Sequence, residues 1–169
     1  AVDVLQGGAG TSTNMNANEV VANRALELLG HERGRYDLLH PIDHVNLGRS
    51  TNDVYPTAVK VGLRSALNEL TTAMMHLAAT FHLKAVEYAE VLKEGRTQLQ
   101  DAVPMTVGQE MDTFAVMIEE DVARLAEAAG LISEINLGGT AIGTGLNAHP
   151  EYAHLACANL SIITGISLS

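Results

Sequence analysis

Apolar residues recur at helical spacing over most of this 169-residue chain. A first run covers residues 14–29 and stops at Gly30, where a glycine commonly ends a helix. A last run covers residues 150–164. Between them lie two long runs with heptad-like spacing, with apolar positions Val59, Leu63, Ala66, Leu70, Ala73 and Leu77 in one and Val107, Met111, Phe114, Ile118, Leu125, Ala128 and Ile132 in the other. The pattern predicts an all-α fold with two long helices, the first ending near Val86.

The two long runs predict helices with more apolar surface than a single chain of this size can bury. At 1.5 Å per residue, helices of about 25–30 residues extend about 40 Å. A single chain of 169 residues cannot bury every face of two such helices. We therefore expect a long-helix bundle completed by other subunits; the alternative is a monomeric bundle whose outer faces are solvated.

Polar side chains gather where the first long helix should begin. Ser50, Thr51 and Asn52 stand at that point, and Pro56 falls within the first turns. The start of a helix offers unpaired backbone N–H groups and the positive end of the helix dipole, so hydroxyls and amides gathered there can hold a carboxylate. The alternative is an ordinary helix cap, because Ser, Thr, Asn and Asp are the most common N-cap residues.

A glycine-rich turn over residues 7–13 precedes the first helix and carries Thr11. The turn matches neither the P-loop nor the dinucleotide-binding fingerprint. Asn14, Asn16 and Asn18 follow at alternate positions, and Asn is a poor choice inside a helix. We expect these amides to cap the helix or to bond a specific partner.

Composition and charge favour a helical protein and argue against some classes of binding partner. Hydrophobic residues make up 47% of the chain and aromatic residues only 4%, which suits packed helices better than a sheet. A formal net charge of -10 with scattered basic residues argues against binding to nucleic acid or to an anionic membrane surface. No run has the profile of a membrane span or a signal peptide. The single Cys157 cannot form an internal disulfide, which favours a cytoplasmic protein.

The histidines do not predict a metal site. His40 and His44 have the i,i+4 spacing of helix-borne ligands with Asp43 between them, but Pro41 interrupts a regular helix and no third ligand is evident. We interpret the remaining candidates as surface or packing residues without an evident partner; these are His76, His82, His149 and His154.

Two more polar segments flank the second long run. Residues 93–106 approach its start and place Thr97 beside Gln98, and residues 136–147 follow its end as a glycine-rich crossover. Together with the turn that carries Thr11 and the cluster at 50–53, these segments resemble the aspartase/fumarase superfamily in order and spacing over nearly the whole chain. The resemblance is more specific than any one of the four motifs.

Two motifs resemble the aspartate ammonia-lyase branch of that superfamily. Thr11 and Ser12 follow Gly-Ala-Gly, and residues 50–53 read Ser-Thr-Asn-Asp, where class II fumarases usually carry Thr-Gln and Ser-Ser-Asn-Asp. The implied reaction removes a proton from C3 of L-aspartate and expels ammonia from C2 to give fumarate, without an organic cofactor. The resemblance implies that Thr11, Ser50 and Thr51 grip the side-chain carboxylate of the substrate.

The resemblance also implies roles for three amide and hydroxyl residues. Asn52 and Thr97 would orient the amino group and the other carboxylate, and Gln98 would fill the polar position beside Thr97. The superfamily commonly has His at that position, and Gln cannot titrate as His does. Arg49 stands where a Gln is usual, which places a positive charge beside the cluster.

A further family motif has no counterpart here. In the family, a later loop of Gly-Ser-Ser-x-Met-Pro-x-Lys-x-Asn type supplies the serine base and a carboxylate-binding lysine, and no segment after Asn147 resembles it. We therefore expect an internal fragment without a catalytic residue, in which residues 1–48 end the N-terminal domain and residues 49–169 begin the central helical bundle. The family site is assembled from three subunits of a homotetramer and takes a small dicarboxylate, L-aspartate or fumarate.

Two other interpretations stay open. A fragment of a class II fumarase would act on malate by hydration chemistry. A non-catalytic helical assembly module would use the same motifs only as loops and caps, and loss of one such cap would change stability by about 1 kcal/mol without affecting turnover.

Overall fold

The computed structural model describes Leu5 and residues 7–169. Its elements in chain order are α1 (Thr11–Leu28), α2 (Thr51–Glu87), β1 (Leu92–Thr97), β2 (Gln100–Thr106), α3 (Val107–Leu131) and α4 (Tyr152–Thr164). A 3-10 turn over Gly8–Gly10 precedes α1, and a π-helical turn over Pro41–Val45 precedes α2. The mainly helical fold with two long helices confirms the prediction from apolar spacing. Within the described residues, no helix is both long and apolar enough to cross a membrane.

Local sequence explains where the helices begin and end. Gly30 follows α1 with a φ of +81°, a conformation that glycine adopts without steric cost. A capping box starts α3: the Thr106 hydroxyl accepts from the Gln109 N–H at 3.1 Å, and the Gln109 side chain accepts from the Thr106 N–H at 3.0 Å. The end of α1 and the start of α3 lie within one or two residues of those expected, whereas α1 begins at Thr11, three residues before the predicted run and inside the predicted glycine-rich turn.

The segment before α3, which the sequence indicates only as a polar approach to that helix, has regular structure. It forms an antiparallel hairpin in which Thr97 pairs with Gln100. Gln98 and Leu99 make the two-residue turn, with φ values of +49° and +63°. Two positive φ values suit a type I′ turn, which usually contains Asn-Gly. Since neither residue carries that signal, spacing and turn chemistry did not predict the hairpin.

The chain divides into two compact units. The first contains residues 1–62 and 133–169, and the second contains residues 63–132. The predicted boundary between residues 48 and 49 concerns the domains of a longer chain and stays a prediction. Residues 1–4 and 6, which belong to its N-terminal part, lie outside the described residues.

Close helix contacts build the first unit. Ala22 and Leu26 of α1 are fully buried. Gly10, at the start of α1, lies against the ring of Tyr55, and a β-carbon at this position would come within 2.4 Å of that ring. Only glycine fits there, and the contact brings the first turn of α1 against the first turns of α2.

In the second unit, α2 packs against α3. The rings of Phe81 and Phe114 lie 5.6 Å apart, and Gly108 approaches the Ala85 carbonyl so closely that a β-carbon would lie 2.4 Å from its oxygen. His82 also joins the two helices, because its Nδ1 lies 2.8 Å from Asp112 and its Nε2 lies 3.0 Å from Glu119. The expectation that His82 lacks a partner was therefore wrong: both carboxylates are distant in sequence, and only helix packing brings them to the ring.

The two predicted apolar stripes differ in burial. Most stripe positions of α3 are buried or half-buried, whereas all six stripe positions of α2 are exposed, with Leu63 49% and Leu70 48% exposed. A different face of α2 is covered; its buried and half-buried residues in the second unit include Leu67, Thr71, Met74, Ala78, Phe81 and Ala85. The described part of the chain thus leaves a long apolar stripe of α2 uncovered.

Candidate active site

Four of the predicted substrate-binding residues lie where α1 and α2 begin, in the first unit. Thr11 is the first residue of α1, Ser50 is the N-cap of α2, and Thr51 and Asn52 are the first residues of α2. The Asn14 amide donates to the Thr51 hydroxyl at 3.0 Å and so joins the two helix starts. The structure thus brings together two helix N-termini, each of which offers unpaired backbone N–H groups.

An asparagine network supports this junction. The Asn14 and Asn18 amides both donate to the side-chain oxygen of Asn46, at 3.2 and 2.9 Å, and the Asn46 amide donates to the Arg49 carbonyl at 3.3 Å. Asn14 and Asn18 are buried. The expectation that these amides bond specific partners is confirmed for both. The network fixes the segment that leads into α2, because buried amides are held by their hydrogen bonds.

Ser50 acts as a helix cap and keeps a donor free. Its Oγ accepts from the Asn52 N–H at 3.1 Å and so caps the second residue of α2, and the Asp53 carboxylate accepts from the Ser50 N–H at 3.0 Å, as the acid of a capping box does. Its O–H, however, donates to none of the described residues. A serine hydroxyl can accept and donate at once, so this cap remains able to donate to a bound carboxylate.

Thr51 and Asn52 differ in burial and in the hydrogen bonds that their side chains make. Thr51 is buried, and its hydroxyl accepts from Asn14 while its O–H donates to none of the described residues. Asn52 is exposed, and its amide donates to the Ala141 carbonyl at 2.8 Å. That bond uses an N–H of Asn52 and leaves its side-chain oxygen to accept from a donor such as an amino group.

A proline ties the crossover segment to α2. Pro56 has no N–H, so the Asn52 carbonyl, four residues earlier, lacks its helical donor. The Asn136 amide donates to this carbonyl instead, at 2.8 Å. The glycine-rich crossover predicted at 136–147 thus lies directly against the start of α2.

Asp53 is the residue that sequence reasoning missed as part of this site. Its side chain is 1% exposed, and besides the Ser50 N–H it accepts from the N–H groups of Gly138 at 3.1 Å and Thr140 at 2.9 Å. An acid three residues after a serine cap signals a capping box. Its contacts with Gly138 and Thr140 have no such signal, because they depend on the crossover folding back.

A pocket of about 380 Å³ adjoins Ser50 and Arg49. Its other side is lined by residues of the crossover: Thr140, Ala141, Ile142, Leu146 and Asn147. Arg49 gives this pocket a positive charge, which favours an anionic ligand. The same charge reaches Tyr152, whose pKa is raised above its usual value by burial and by Asp53, while Arg49 opposes the increase.

Thr97 and Gln98 belong to the second unit, at the tip of the hairpin. Thr97 is the last residue of β1 and Gln98 is the first residue of the turn, and both are exposed. Neither lies at a helix start. Gln98 has the positive φ of the turn, whereas Thr97 still pairs with Gln100 in the strand ladder.

The histidine cluster before α2 is used for capping. Nδ1 of His40 accepts from the N–H groups of Ile42 and Asp43, both at 3.2 Å, and Nδ1 of His44 accepts from the His40 N–H at 2.8 Å. Within the described ranges, no three His, Cys, Asp or Glu side chains are placed to hold a metal ion.

Known proteins resemble the chain along its whole length. A family model described as Lyase matches residues 1–169. The aspartate ammonia-lyase of Helicobacter pylori (strain ATCC 700392 / 26695) is 54% identical over 164 residues, which make up 97% of this chain and 35% of that protein. The chain therefore spans about a third of the length of this relative.

Two solved structures share the fold. The crystal structure of fumarate lyase:delta crystallin from Brucella melitensis bound to cobalt has 59% sequence identity and a TM-score of 0.91, over 100% of this chain and 37% of that one. Recombinant class II fumarase from Schistosoma mansoni has 40% identity and a TM-score of 0.80, over 94% of this chain and 33% of that one. With the family model matching throughout, the chain belongs to the aspartase/fumarase superfamily of lyases.

Proposed function

We propose that these residues form part of an aspartate ammonia-lyase, which converts L-aspartate to fumarate and ammonia. The observation that carries the proposal is the junction of two helix starts. Among the described residues, the O–H groups of Ser50 and Thr51 have no acceptor there and the side-chain oxygen of Asn52 has no donor. The 54% identity to an aspartate ammonia-lyase supports the same activity. We call the longer polypeptide that would contain these residues the full-length enzyme.

The difficult step is the loss of a weakly acidic C3 proton. Its electrons move into the neighbouring carboxylate, which becomes a doubly charged enediolate. Neutral donors held in place by helix starts can stabilise this charge without reorganising as it develops. We assign this role to Thr11, Ser50 and Thr51. The bond from Asn14 to the Thr51 oxygen also polarises the Thr51 O–H, because hydrogen bonds in a chain strengthen one another.

The amino group leaves from C2 as the C2–N bond breaks. We assign Asn52 to orient this group, since its side-chain oxygen can accept from an ammonium and its N–H is already bound to Ala141. We also assign Thr97 and Gln98 to substrate binding, because their segment resembles the family motif. The base that takes the C3 proton is not among these residues and would come from another segment of the full-length enzyme.

We propose a homotetramer. The exposed stripe on α2 supports it, because six apolar positions at heptad spacing on one helix form a surface suited to packing against other helices. In such an assembly the site would combine segments of different subunits. A cytoplasmic location and a domain boundary at residues 48 and 49 belong to the same proposal.

A class II fumarase is the second candidate, since the Schistosoma mansoni fumarase has the same fold at 40% identity. Substrate comparison with the full-length enzyme separates the two activities. We expect L-aspartate to give fumarate and ammonia in equal amounts, and fumarate in water to give no malate. Malate formation without ammonia release would identify a fumarase. We expect the isolated 169-residue chain to release no ammonia.

A further inference from the structure

We infer that Asp53 is a positioning residue: its carboxylate holds the crossover segment 136–141 on the start of α2 and thereby fixes the side chain of Asn52. The inference rests on the proposed function for the role of Asn52. Asp53 itself lines no open surface, because only 1% of it is exposed. Any effect it has on a substrate must therefore pass through the residues that it holds.

A buried carboxylate is costly unless its oxygens are well bonded. Asp53 takes part in no ion pair within the described residues, and three backbone N–H groups serve it instead, from Ser50, Gly138 and Thr140. Hydrogen bonds to an ionised carboxylate are about twice as strong as those between neutral groups. One side chain thus fixes both the cap of α2 and two points on the crossover.

The crossover needs this support because its backbone is unusual. Gly138 has a φ of +95° and Thr140 a φ of +58°, and Thr is disfavoured in that region because of its β-carbon. The N–H groups of Gly138 and Thr140 both donate to Oδ2 of Asp53, whereas the N–H of the intervening Gly139 donates to the Asn136 carbonyl. The Asp53 carboxylate thus accepts from two points of this turn, as an anion does in a backbone nest, and compensates for the strained geometry.

Residues of the crossover in turn make hydrogen bonds with Asn52. Ala141 directly follows Thr140, and its carbonyl accepts the Asn52 amide at 2.8 Å. The carbonyl of Asn52, left free by Pro56, accepts from Asn136 at 2.8 Å. The crossover therefore holds Asn52 from both its side chain and its backbone, and Asp53 holds the crossover.

The test replaces Asp53 by Asn in the full-length enzyme. The amide keeps the shape but turns one acceptor oxygen into a donor that faces N–H groups. We expect kcat/KM for L-aspartate to fall about 10²-fold, the loss that a misplacement of about 1 Å produces. KM itself should rise, which partial unfolding would not cause, because KM does not depend on the amount of active enzyme. Hydrogen exchange at the Gly138 and Thr140 amides should become faster.

Thr57→Val is the matched control. Thr57 is 3% exposed and lies one turn further along α2, and among the described residues its hydroxyl donates to the Asp53 carbonyl alone, at 2.7 Å. We expect it to leave KM and the Gly138 and Thr140 exchange rates unchanged. If Asp53→Asn fails to fold, Asn136→Ala provides the test. Asn136 is exposed, and this substitution removes its hydrogen bond to the Asn52 carbonyl, one of the two bonds by which the crossover holds Asn52. Asn136→Ala should also raise KM for L-aspartate.

The inference is overturned if Asp53→Asn keeps wild-type KM and wild-type exchange at Gly138 and Thr140, or if Asn136→Ala leaves KM unchanged. Failure of the proposed function is a separate outcome. In that case the unmodified full-length enzyme releases no ammonia from L-aspartate, and the exchange rates alone still decide whether Asp53 holds the crossover.

Discussion

The side-chain nitrogen of Asn14 lies 3.0 Å from the Thr51 hydroxyl oxygen, and this one bond joins the first turns of α1 and α2. Asn14→Ala in the full-length enzyme removes it and leaves the buried Thr51 hydroxyl and the half-buried Asn46 side-chain oxygen without this donor. We expect the free energy of unfolding to fall by about 1–3 kcal/mol, measured by urea denaturation.

Asn68→Ala is the control for that change, because Asn68 is exposed on α2. An exposed substitution of this kind should stay within about 0.5 kcal/mol of the wild type. Equal stabilities for Asn14→Ala and Asn68→Ala would show that the bond between the helix starts does not support the site.

The hairpin turn offers a stabilising change. Leu99 is 99% exposed and has a φ of +63°. Leu99→Gly should raise the free energy of unfolding by about 1 kcal/mol, since a non-glycine residue in the left-handed region costs about 1–2 kcal/mol. Leu99→Ala is the control and should give no gain, because alanine keeps the β-carbon. Similar stabilities for the two variants would contradict the strained turn.

Gln98 tests whether this turn takes part in the site. Gln98→Gly relieves the same kind of strain but removes the amide. We expect it to lower kcat/KM for L-aspartate, whereas Leu99→Gly should leave kcat/KM unchanged. Full activity of Gln98→Gly would remove Gln98 from the proposed site.

Particular residues show how far the sequence alone leads. Apolar spacing and glycine stops predicted α1 and the two long helices, because helix packing repeats along the chain. The hairpin escaped prediction, since Gln98 and Leu99 lack the usual turn residues. Asp53 looked like a cap, and the sequence could not indicate its bonds to Gly138 and Thr140, which lie 85 and 87 residues away.

The two hydrogen bonds of the His82 ring predict that the stability of the folded protein depends on pH. Hydrogen bonds to Glu119 and then Asp112 raise the pKa of His82 above its usual 6.5. A raised pKa in the folded state means that the stabilisation is fully present below about pH 6.5 and is lost as the pH rises through the folded-state pKa. His82→Gln should therefore lower Tm at acidic pH and have less effect at alkaline pH.

His76→Gln is the control for that pH series, because His76 is exposed on the same helix. An exposed substitution of this kind should change the free energy of unfolding by no more than about 0.5 kcal/mol. A Tm difference between wild type and His82→Gln that stays constant across the series would contradict the bridge to Glu119 and Asp112.

The exposed stripe on α2 predicts the effect of a buried charge. In the proposed tetramer, Leu70→Glu places a carboxylate in an apolar interface, which is strongly unfavourable. We expect light scattering to show dissociation to smaller species. Glu69→Gln, an exposed change beside the stripe, should leave the mass of the assembly unchanged. A Leu70→Glu variant with the mass of the wild type would show that the stripe is not an interface.

The most direct test of the account is the turnover of Ser50→Ala and Asn52→Ala in the full-length enzyme, with Ser65→Ala as the control at an exposed position of α2. We predict that each site variant loses about 10²–10³-fold in kcat/KM for L-aspartate, the usual loss when one preorganised polar group is removed, while Ser65→Ala retains activity. Retained turnover with a stability loss of only about 1 kcal/mol would contradict the account, because the cluster would then be a helix cap and nothing more.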